Sequence, residues 1–267
     1  MTVLKEQRII LTGATGGIGK ELAHQLLQQG CLVGLVGRSM NKLQKIASVL
    51  KTEGHSADNF RFIEADITHL EDQQKIINEM NQHFSGIDML INAAGIMDFV
   101  SFTDQSDERI EAIFKTNVIA PMQLCKKVIP NMMEQNHGHI INIGSVFGTI
   151  GFAWFTSYSS SKFALRGFSE ALRRELMDTP IKVSYIAPRA VKTSLNSNAV
   201  YDMANEVKMN MDKPELVAKE IIRSMIKNHK TRYIGFPESL FARINAIFPT
   251  LVDSATRSQN RIAKKYL

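Results

Sequence analysis

The chain has 267 residues, 44% of them hydrophobic and 22% charged, with a formal net charge of +6. These values are typical of a soluble globular protein. The basic balance favours an anionic ligand, which nucleic acid, anionic lipid or a phosphorylated cofactor would each supply. The only cysteines, Cys31 and Cys125, exclude a disulfide framework and a cysteine metal set. Because each lies in an apolar run, we expect reduced, buried thiols, as in the cytoplasm.

No targeting segment is visible at the N-terminus. The sequence MTVLKEQRIILTG enters an apolar run at Arg8 without a basic-then-apolar signal region. No stretch approaches the roughly 20 apolar residues that a membrane-spanning helix needs. We therefore expect a soluble, cytoplasmic protein.

Short apolar runs alternate along the chain with longer segments of helical periodicity. The runs span residues 8–11, 31–36, 60–65, 87–93, 139–144, 181–187 and 231–236. They are rich in β-branched residues and nearly continuous, which is typical of strands in a parallel sheet buried on both faces. Their alternation with helices predicts an α/β, doubly wound open sheet with right-handed crossovers. No linker or repeat interrupts the pattern, so residues 1–267 are predicted to form one domain.

A glycine-rich turn joins the first strand to the first predicted helix. In the sequence TGATGGIG, residues 12–19, the glycines of the TGxxxGxG spacing are Gly13, Gly17 and Gly19. Glycine permits a tight turn and lets a phosphate approach the positive N-terminus of the helix. The strand before the turn and the helix after it are the context of a dinucleotide-binding site. A plain tight connection is the alternative.

The end of the second predicted strand distinguishes between two cofactors. A protein that binds NAD normally has Asp or Glu there, which accepts hydrogen bonds from the ribose hydroxyls. This chain has Gly37 and Arg38, and no acidic residue before Glu53. A guanidinium can bind a 2′-phosphate in a fork, whereas a carboxylate would repel it. We therefore predict NADP(H) over NAD(H), with Arg38 as discriminator and Lys42 as a second cation; a solvated loop arginine is the alternative.

Seven motifs, in order over about 190 residues, resemble those of the short-chain dehydrogenase/reductase family. They are the TGxxxGxG turn at 12–19, AD at 65–66, NAAG at 92–95, TNV at 116–118, IGS at 143–145, YxxxK at 158–162 and PRAVKT at 188–193. The resemblance implies a Rossmann-type fold whose seven-stranded, mainly parallel sheet has helices on both faces. It also implies a nicotinamide cofactor and an Asn–Ser–Tyr–Lys catalytic set.

The resemblance assigns these roles to particular residues. The implied catalytic residues are Asn117, Ser145, Tyr158 and Lys162, with no metal. The implied cofactor-binding residues are Gly13, Thr15, Gly17, Ile18, Gly19, Arg38, Asp66, Ile67, Asn92, Tyr158, Lys162, Val191 and Thr193. Of these, Asp66 and Ile67 would contact the adenine and Asn92 the ribose region. Val191 and Thr193 would hold the carboxamide and the phosphates.

The chain departs from the family pattern at two positions. Arg189 follows Pro188 where the family usually has glycine, so we expect the loop beyond it to run differently. Gly16 lies in the glycine turn where many NADP-binding members carry a basic residue. Phosphate recognition would therefore depend mainly on Arg38.

The spacing of Tyr158 and Lys162 has a physical reason. Residues four apart lie on the same face of a helix, so the ammonium would lie beside the phenol. At about 4 Å and an effective dielectric constant near 20, this attraction is roughly 4 kcal/mol. Lowering the pKa of a tyrosine by about two to three units requires about 3–4 kcal/mol. We therefore predict that Lys162 lowers the pKa of Tyr158, while by resemblance Ser145 binds the substrate oxygen and Asn117 holds a proton-carrying water.

Aromatic residues are concentrated around the implied catalytic set. Phe147, Phe152, Trp154 and Phe155 lie between Ser145 and Tyr158, and Phe99 follows the NAAG turn. They predict either an apolar pocket for a lipophilic carbonyl or alcohol, or packing in the core or a subunit interface.

Two segments that follow the implied catalytic set are also distinctive. Residues 194–213 are polar, contain Met203, Met209 and Met211, and correspond to the substrate lid of the family. Residues 236–252 are apolar and begin a C-terminal extension, 236–267, that ends in a basic tail. We expect the extension to form a subunit contact or a pocket wall in preference to a membrane-surface helix.

The leading hypothesis is an NADP(H)-dependent carbonyl reductase or alcohol dehydrogenase that acts on a small molecule as a homodimer or homotetramer. The alternative is a catalytically silent NADP-sensing protein on the same fold, although such a protein would not need the catalytic set. Nucleic-acid binding is not expected, because the tail has four basic residues and no interleaved aromatics. His137 and His139 are interpreted as turn residues, not metal ligands. Oxoacyl thioesters and steroid- or retinoid-like substrates both stay open.

Overall fold

The computed structural model describes residues 4–267 and contains a seven-stranded sheet in the order β3-β2-β1-β4-β5-β6-β7. The strands are β1 Arg8–Thr12, β2 Leu32–Gly37, β3 Phe60–Glu64, β4 Met89–Asn92, β5 Gly138–Ile143, β6 Ile181–Pro188 and β7 Thr231–Ile234. All six pairings are parallel. The predicted doubly wound, Rossmann-type fold is therefore confirmed.

Helices follow most strands. They are α1 Gly17–Gln28, α2 Met40–Thr52, α3 Leu70–Phe84, α4 Asp107–Phe114, α5 Ala120–Glu134, α6 Thr156–Glu175, α7 Asn198–Glu206, α8 Pro214–Ile226, α9 Glu238–Ile247 and α10 Pro249–Ala263. A π-helical turn, Lys115–Ile119, joins α4 to α5. Among residues 4–267 no helix is long and apolar enough to cross a bilayer.

Both faces of the sheet are buried, which explains why the strand sequences are continuously apolar. Along β1, Ile9 and Leu11 pack into the core under α1, α2 and α8, whereas Ile10 packs into the core under α3, α5 and α6. Residues on the two sides of a strand thus need the same apolar character. Cys31 and Cys125 are free and buried in these cores, as predicted, and burial raises the pKa of each thiol to about 12.

The strand order reverses between β1 and β4. β1 leads back to β2 and β3, whereas β4 leads on to β5, β6 and β7. The connections beyond the carboxyl ends of β1 and β4 therefore leave to opposite sides and open a crevice, which is where open α/β sheets bind ligands. The glycine turn, the NAAG segment and the loops that begin at Gly144 and Arg189 all follow strands at this edge.

Candidate active site

The glycine turn is packed so closely that a side chain has no room there. Gly13 has a φ of +67°, and a Cβ atom on it would lie 2.7 Å from Cα of Ala94 in the NAAG segment. A Cβ on Gly19 would lie 2.1 Å from the carbonyl oxygen of Gly13. Helix α1 begins at Gly17, and its N-cap, Gly16, offers no side-chain hydrogen bond. The first N–H groups of α1 are thus open to a phosphate, which fits the binding of a dinucleotide.

The segment just before the predicted lid lies against this turn. Cγ2 of Thr193 lies 2.5 Å from the position that a Cβ on Gly17 would take. Ile18, Val191 and Thr193 line the same cavity. The Tyr201 hydroxyl of α7 donates to the Thr193 carbonyl at 2.9 Å, which ties the lid helix to the turn. Five of the residues implied by resemblance therefore meet here: Gly13, Gly17, Ile18, Val191 and Thr193.

Arg38 lies exposed at the end of β2. The Thr15 methyl group is 3.0 Å from where a Cβ on Gly37 would lie, so Thr15 adjoins this strand end. Within residues 4–267 Arg38 forms neither an ion pair nor a hydrogen bond with another side chain, which leaves its guanidinium available to an anion. Burial acts to raise the pKa of neighbouring Asp66, but hydrogen bonds from Thr68, helped by the Arg38 charge, hold that pKa below its ordinary value.

Three other residues implied by resemblance lie in less open positions. Asp66 Oδ1 accepts from the Thr68 N–H at 2.9 Å and from the Thr68 hydroxyl at 2.8 Å. Ile67 is buried in the core between the sheet and α3. Asn92 is buried at the end of β4, where its Nδ2 donates to Asn142 Oδ1 on β5 at 2.8 Å. The side chains of Ile67 and Asn92 therefore belong to the packed interior of the protein.

Asn117 lies in the π-helical turn between α4 and α5 and is fully buried. Its Nδ2 donates to the Ile96 carbonyl at 2.9 Å and to Ser161 Oγ at 3.0 Å, while its Oδ1 accepts from the Ile96 N–H at 2.9 Å. A π-helical turn inserted in a helix often marks a functional site. Here it turns the amide toward Gly95, next to which Lys162 Nζ also lies.

The three serines between Tyr158 and Lys162 differ in their surroundings. Ser161 Oγ donates to the Tyr158 carbonyl at 2.7 Å and accepts from Asn117, so it links two of the four implied catalytic residues. Ser159 Oγ accepts from the Phe152 N–H at 3.4 Å, whereas Ser160 is exposed. Sequence reasoning missed Ser161, because three adjacent serines carry no signal that distinguishes one from another.

Burial dominates the electrostatics of Tyr158 and Lys162. It raises the pKa of Tyr158 to about 12, although a hydrogen bond with the Ser145 side chain acts in the opposite direction. It lowers the pKa of Lys162 to about 8. Lys162 Nζ is 5.8 Å from the Tyr158 ring centroid and donates to the Ile143 carbonyl at 3.1 Å. The prediction that this chain's lysine lowers the tyrosine pKa was therefore wrong, because loss of hydration outweighs the attraction.

Ser145 lies in the loop after β5, where it is contacted by Tyr185, a residue that sequence reasoning missed. Tyr185 on β6 is fully buried, and its hydroxyl donates to the Ser145 carbonyl at 3.3 Å. A Cβ on Gly144 or on Gly148 would lie within 2.3 Å of this tyrosine side chain. The sequence did contain a signal for Tyr185, namely the two glycines on either side of Ser145. Only the register of β5 with β6 shows that Tyr185 fills the space these glycines leave.

An apolar cavity of about 370 Å³ opens beside Ser145 and Tyr158. Of the aromatics singled out in the sequence, Phe147, Phe152 and Phe155 line it. Phe99 packs on Phe155 with ring centroids 5.0 Å apart, and Trp154 Nε1 donates to the Asn260 carbonyl at 3.2 Å. The two interpretations of the aromatics are thus each correct for part of the set. The three lid methionines, Met203, Met209 and Met211, also line the cavity.

Arg189, in place of the family's usual glycine, joins the lid to the C-terminal extension. Its Nη2 and Nε bind the Asp212 carboxylate at 2.7 and 3.0 Å, and its Nη1 binds Glu238 Oε2 at 3.0 Å. Its stem covers Gly235, whose φ is +106° and where a Cβ would lie 2.5 Å from Cδ of Arg189. The side chain is 17% exposed, so this double ion pair is largely shielded from solvent at the cavity wall.

The C-terminal extension forms α9 and α10. Phe241, Val252 and Thr256 line the cavity, so the expectation of a pocket wall is confirmed for this face. On the outer side, Phe236, Ile247, Phe248 and Leu251 are between 58% and 75% exposed.

The two histidines interpreted as turn residues lie at the opposite end of β5. His137 precedes the strand and pairs with the buried carboxylate of Asp88. His139 is within the strand, buried, and hydrogen-bonded to Ser184 Oγ at 2.8 Å, so its assignment to a turn was wrong. Burial lowers the pKa of His139 to about 4, which keeps it neutral.

Three features of this site are typical of a nicotinamide-dependent oxidoreductase. They are the crevice at the reversal of strand order, the uncapped glycine turn, and the buried Tyr158–Lys162 pair beside an apolar cavity. Residues 7–204 match the family model described as short chain dehydrogenase. The chain is 32% identical over 225 residues to an uncharacterised oxidoreductase of Staphylococcus aureus, covering 84% of this chain and 93% of that protein. It is 30% identical to the ketoacyl reductase HetN of Nostoc, covering 100% of this chain and 98% of HetN.

Two solved structures have the same fold. A short-chain dehydrogenase/reductase from Burkholderia phymatum, in complex with NAD, superposes with a TM-score of 0.84 at 19% identity, covering 94% of this chain and 96% of that one. A Caenorhabditis elegans protein of unknown function, with cofactor, gives 0.79 at 26% identity, covering 89% and 96%. The chain belongs to the short-chain dehydrogenase/reductase family, whose members are oxidoreductases that bind a nicotinamide cofactor and act on small molecules.

Proposed function

We propose that the protein is an NADP(H)-dependent oxidoreductase that interconverts a carbonyl and an alcohol on a lipophilic substrate, with Tyr158 as general acid and base. One observation carries the proposal. Ser145 and Tyr158 line an apolar cavity, while Lys162 and Asn117 are buried next to Gly95. The similarity to a ketoacyl reductase supports reduction of a carbonyl.

The cofactor, when bound, supplies or accepts the hydride, and its oxidised ring adds a positive charge. This chain's own residues bind and protonate the substrate oxygen. Ser145 donates a hydrogen bond to that oxygen, and Tyr158 transfers its proton to it. Because the pKa of Tyr158 is about 12, the phenol is protonated at neutral pH and is ready to act as an acid.

Lys162 and Asn117 restore that proton. With its pKa near 8, Lys162 can exchange a proton close to neutral pH, which an ordinary lysine cannot do. The Asn117 amide lies next to Lys162 across Gly95 and is held rigidly by Ile96 and Ser161. We assign it the role of positioning a water that leads protons to Lys162.

The test is turnover of NADPH with a panel of carbonyls that includes 3-oxoacyl thioesters, steroid ketones and retinal, alongside the reverse reaction with NADP. Replacing Tyr158 with Phe should lower kcat by about 10³-fold or more while cofactor affinity changes little. Ser160→Ala, on an exposed neighbour, serves as control and should retain full activity. Turnover by Tyr158→Phe equal to that of the wild type would contradict the role of Tyr158, whereas a wild type that binds NADPH but turns over no carbonyl would favour an NADP-sensing protein instead.

The preference for NADP(H) rests on Arg38, exposed at the end of β2 beside Thr15 and free of ion pairs within residues 4–267. Charge reversal, Arg38→Asp, should weaken NADPH binding by about 100-fold and NADH binding by less than about threefold. Arg174→Asp, at the far end of α6, matches the charge change and should affect neither. Equal losses for both cofactors in Arg38→Asp would contradict the preference.

We also propose that the protein is a homodimer or homotetramer, since members of its family are commonly oligomeric. Light scattering after size-exclusion chromatography measures the mass directly. A monomer of 30.0 kDa at all concentrations would contradict this proposal.

A further inference from the structure

Two histidines and a glutamate from separate elements converge on the outer side of α1. His24 lies on α1, and Glu53 and His55 lie just after α2. His24 Nδ1 is 2.5 Å from Glu53 Oε2, and His55 Nε2 is 3.8 Å from the same oxygen. One potential ligand atom from each of the three side chains lies within 4.8 Å of the others.

The backbone that carries Glu53 and His55 is a defined helix end. Gly54 takes a left-handed conformation, with φ of +84°, and the His55 N–H donates to the Leu50 carbonyl at 3.1 Å. This is the six-to-one hydrogen bond of a Schellman motif, which stops α2 and fixes the direction of the chain that follows. Leu50 is buried in the core that also contains residues of α1. The helix that carries His24 and the helix end that carries Glu53 and His55 are therefore both anchored in the same packed core.

One ligand atom of the cluster lacks a partner. His55 Nε2 is buried and forms no hydrogen bond, and the His55 side chain is only 11% exposed. A buried imidazole nitrogen without a partner costs free energy, and native structures rarely leave one so. Its distance to Glu53 Oε2 is too long for a hydrogen bond but suits two ligands of one ion.

Two imidazoles and one carboxylate form a ligand set for a divalent transition metal. Such ligands lie about 2.0–2.2 Å from Zn²⁺, which places neighbouring ligand atoms about 3.4 Å apart in a tetrahedron. The observed 2.5 and 3.8 Å separations bracket that value, so a small shift of the Glu53 carboxylate would equalise them. Gln28 Nε2 lies 2.8 Å from His24 Nε2, and rotating this amide would let its oxygen accept from Nε2–H as an outer partner.

From this geometry we propose that His24, Glu53 and His55 bind one divalent transition-metal ion of the Zn²⁺ class, with water completing the coordination. The site joins α1 to the end of α2, at the other end of α1 from the glycine turn. Its role is to stabilise the first β-α-β unit and not to take part in the hydride chemistry. Sequence reasoning predicted no metal, because His24 and Glu53 are 29 residues apart and only the packing of α1 against α2 brings them together.

The experiment uses the full chain, free of any affinity tag and stripped with a chelator, and titrates it with Zn²⁺ by calorimetry and with Co²⁺ by visible absorbance. We expect one ion per chain and a Co²⁺ spectrum of tetrahedral intensity. His24→Gln, Glu53→Gln and His55→Gln should each weaken binding by more than about tenfold. Zn²⁺ should raise the melting temperature of the wild type but not of these variants.

The chain supplies a matched control. His83 and Glu79 form a similar pair on α3, with Nε2 and Oε2 3.3 Å apart, but within residues 4–267 no third ligand joins them. His83→Gln should therefore bind Zn²⁺ as tightly as the wild type. His24 and Glu53 are partly exposed, so their glutamine variants should fold even if His55→Gln does not. Absence of one-to-one binding by the wild type, or an equal loss in His83→Gln, would overturn the proposal.

Discussion

The two sides of the crevice are built in different ways. On the proposed cofactor side, the glycine turn packs backbone against backbone, and added Cβ atoms would approach Ala94 or the Gly13 carbonyl to within 2.8 Å. On the substrate side, the cavity wall is made by side chains from the loop after β5, the lid and the C-terminal extension. Arg189 fastens two of these segments through Asp212 and Glu238.

This difference separates constraints of two kinds. A backbone contact accepts a single residue type, glycine, and the requirement is visible in a short sequence. A cavity wall accepts many apolar side chains of similar volume, because packing tolerates exchanges that conserve volume. The cofactor side should therefore respond sharply to single substitutions, and the substrate side should respond gradually.

The largest expected effect tests the cofactor side of the crevice. In Gly19→Ala, the new Cβ would lie 2.1 Å from the Gly13 carbonyl oxygen, a backbone atom that cannot move without opening the turn. We expect a loss of about 3 kcal/mol in the free energy of unfolding and at least about 100-fold weaker NADPH binding. Denaturant titration and fluorescence titration measure the two.

A second glycine provides the comparison. Nothing lies within 4 Å of a Cβ on Gly151, in the loop before α6. Gly151→Ala should therefore change both quantities by less than the experimental error. A harmless Gly19→Ala would show that the turn is not held as closely as the packing indicates.

The next effect concerns Lys162, where the two sides meet. Its pKa is near 8 when folded and about 10.5 when unfolded, so the unfolded chain binds more protons between these values. The wild type should therefore gain about 2–3 kcal/mol of stability as pH rises from 8 to 10.5, relative to Lys162→Met. Subtracting the variant removes the contributions of tyrosines and cysteines that titrate in the same range.

Below pH 8 the difference in stability between the wild type and Lys162→Met should also have a definite sign. The wild type buries a charged ammonium there and Lys162→Met does not, so the variant should be the more stable protein without cofactor. Parallel stability curves for the two proteins would show that the ammonium is better solvated than its burial indicates.

A smaller effect tests the substrate side. Arg189→Ala removes both ion pairs and leaves Asp212 and Glu238 without their partner, so the lid and α9 should separate more easily. We expect KM for the best lipophilic substrate to rise about tenfold, while NADPH affinity changes by less than about twofold. Limited proteolysis within residues 194–213 should also become faster.

Arg223→Ala is the control for this prediction. Its guanidinium pairs with Glu220 on the exposed face of α8, and the side chain is 60% exposed. Such surface pairs contribute little, about 0–1 kcal/mol, so this variant should keep the wild-type KM. A fall in kcat with unchanged KM in Arg189→Ala would contradict the assignment of Arg189 to the cavity wall.

The smallest effect separates the ring of Tyr185 from its hydroxyl. The ring fills the space left by Gly144 and Gly148, whereas the hydroxyl contacts Ser145 only at 3.3 Å and longer. Tyr185→Phe keeps the ring, so stability should fall by less than about 1 kcal/mol and kcat by less than about threefold. Tyr185→Leu should cost several times more in both measurements, and equal losses would assign the effect to the hydroxyl.

Much of the fold was predictable because its signals are local. All seven strands lie within two residues of the predicted apolar runs, since burial on both faces makes a parallel strand continuously apolar. The glycine turn was equally visible, because strand, glycines and helix are consecutive. The close approach of Thr193 to Gly17 was implied only by resemblance to a family and could not follow from residues so far apart.

The errors share a physical cause. The pKa of Tyr158 was predicted from its spacing to Lys162, but the result depends on how much water the rest of the fold removes from both. His139 was assigned to a turn because it lies next to Gly138, whereas its side chain enters a space that Ser184 on β6 borders. How deeply a side chain is buried, and which residue it meets on a neighbouring strand, depend on residues that are distant in the sequence.

By itself the sequence determined the strands and helices, the phosphate-binding turn, the absence of a carboxylate at the end of β2 and the family. Each of these depends on residue types at short spacing, which act on their own backbone. Only the tertiary structure decided which aromatics line the cavity, that Arg189 joins the lid to α9, that Ser161 holds Asn117, and that His24 meets Glu53 and His55. The contacts of Arg189, Asn117 and His24 join residues more than 20 positions apart, and the folded core alone brings such residues within hydrogen-bonding distance.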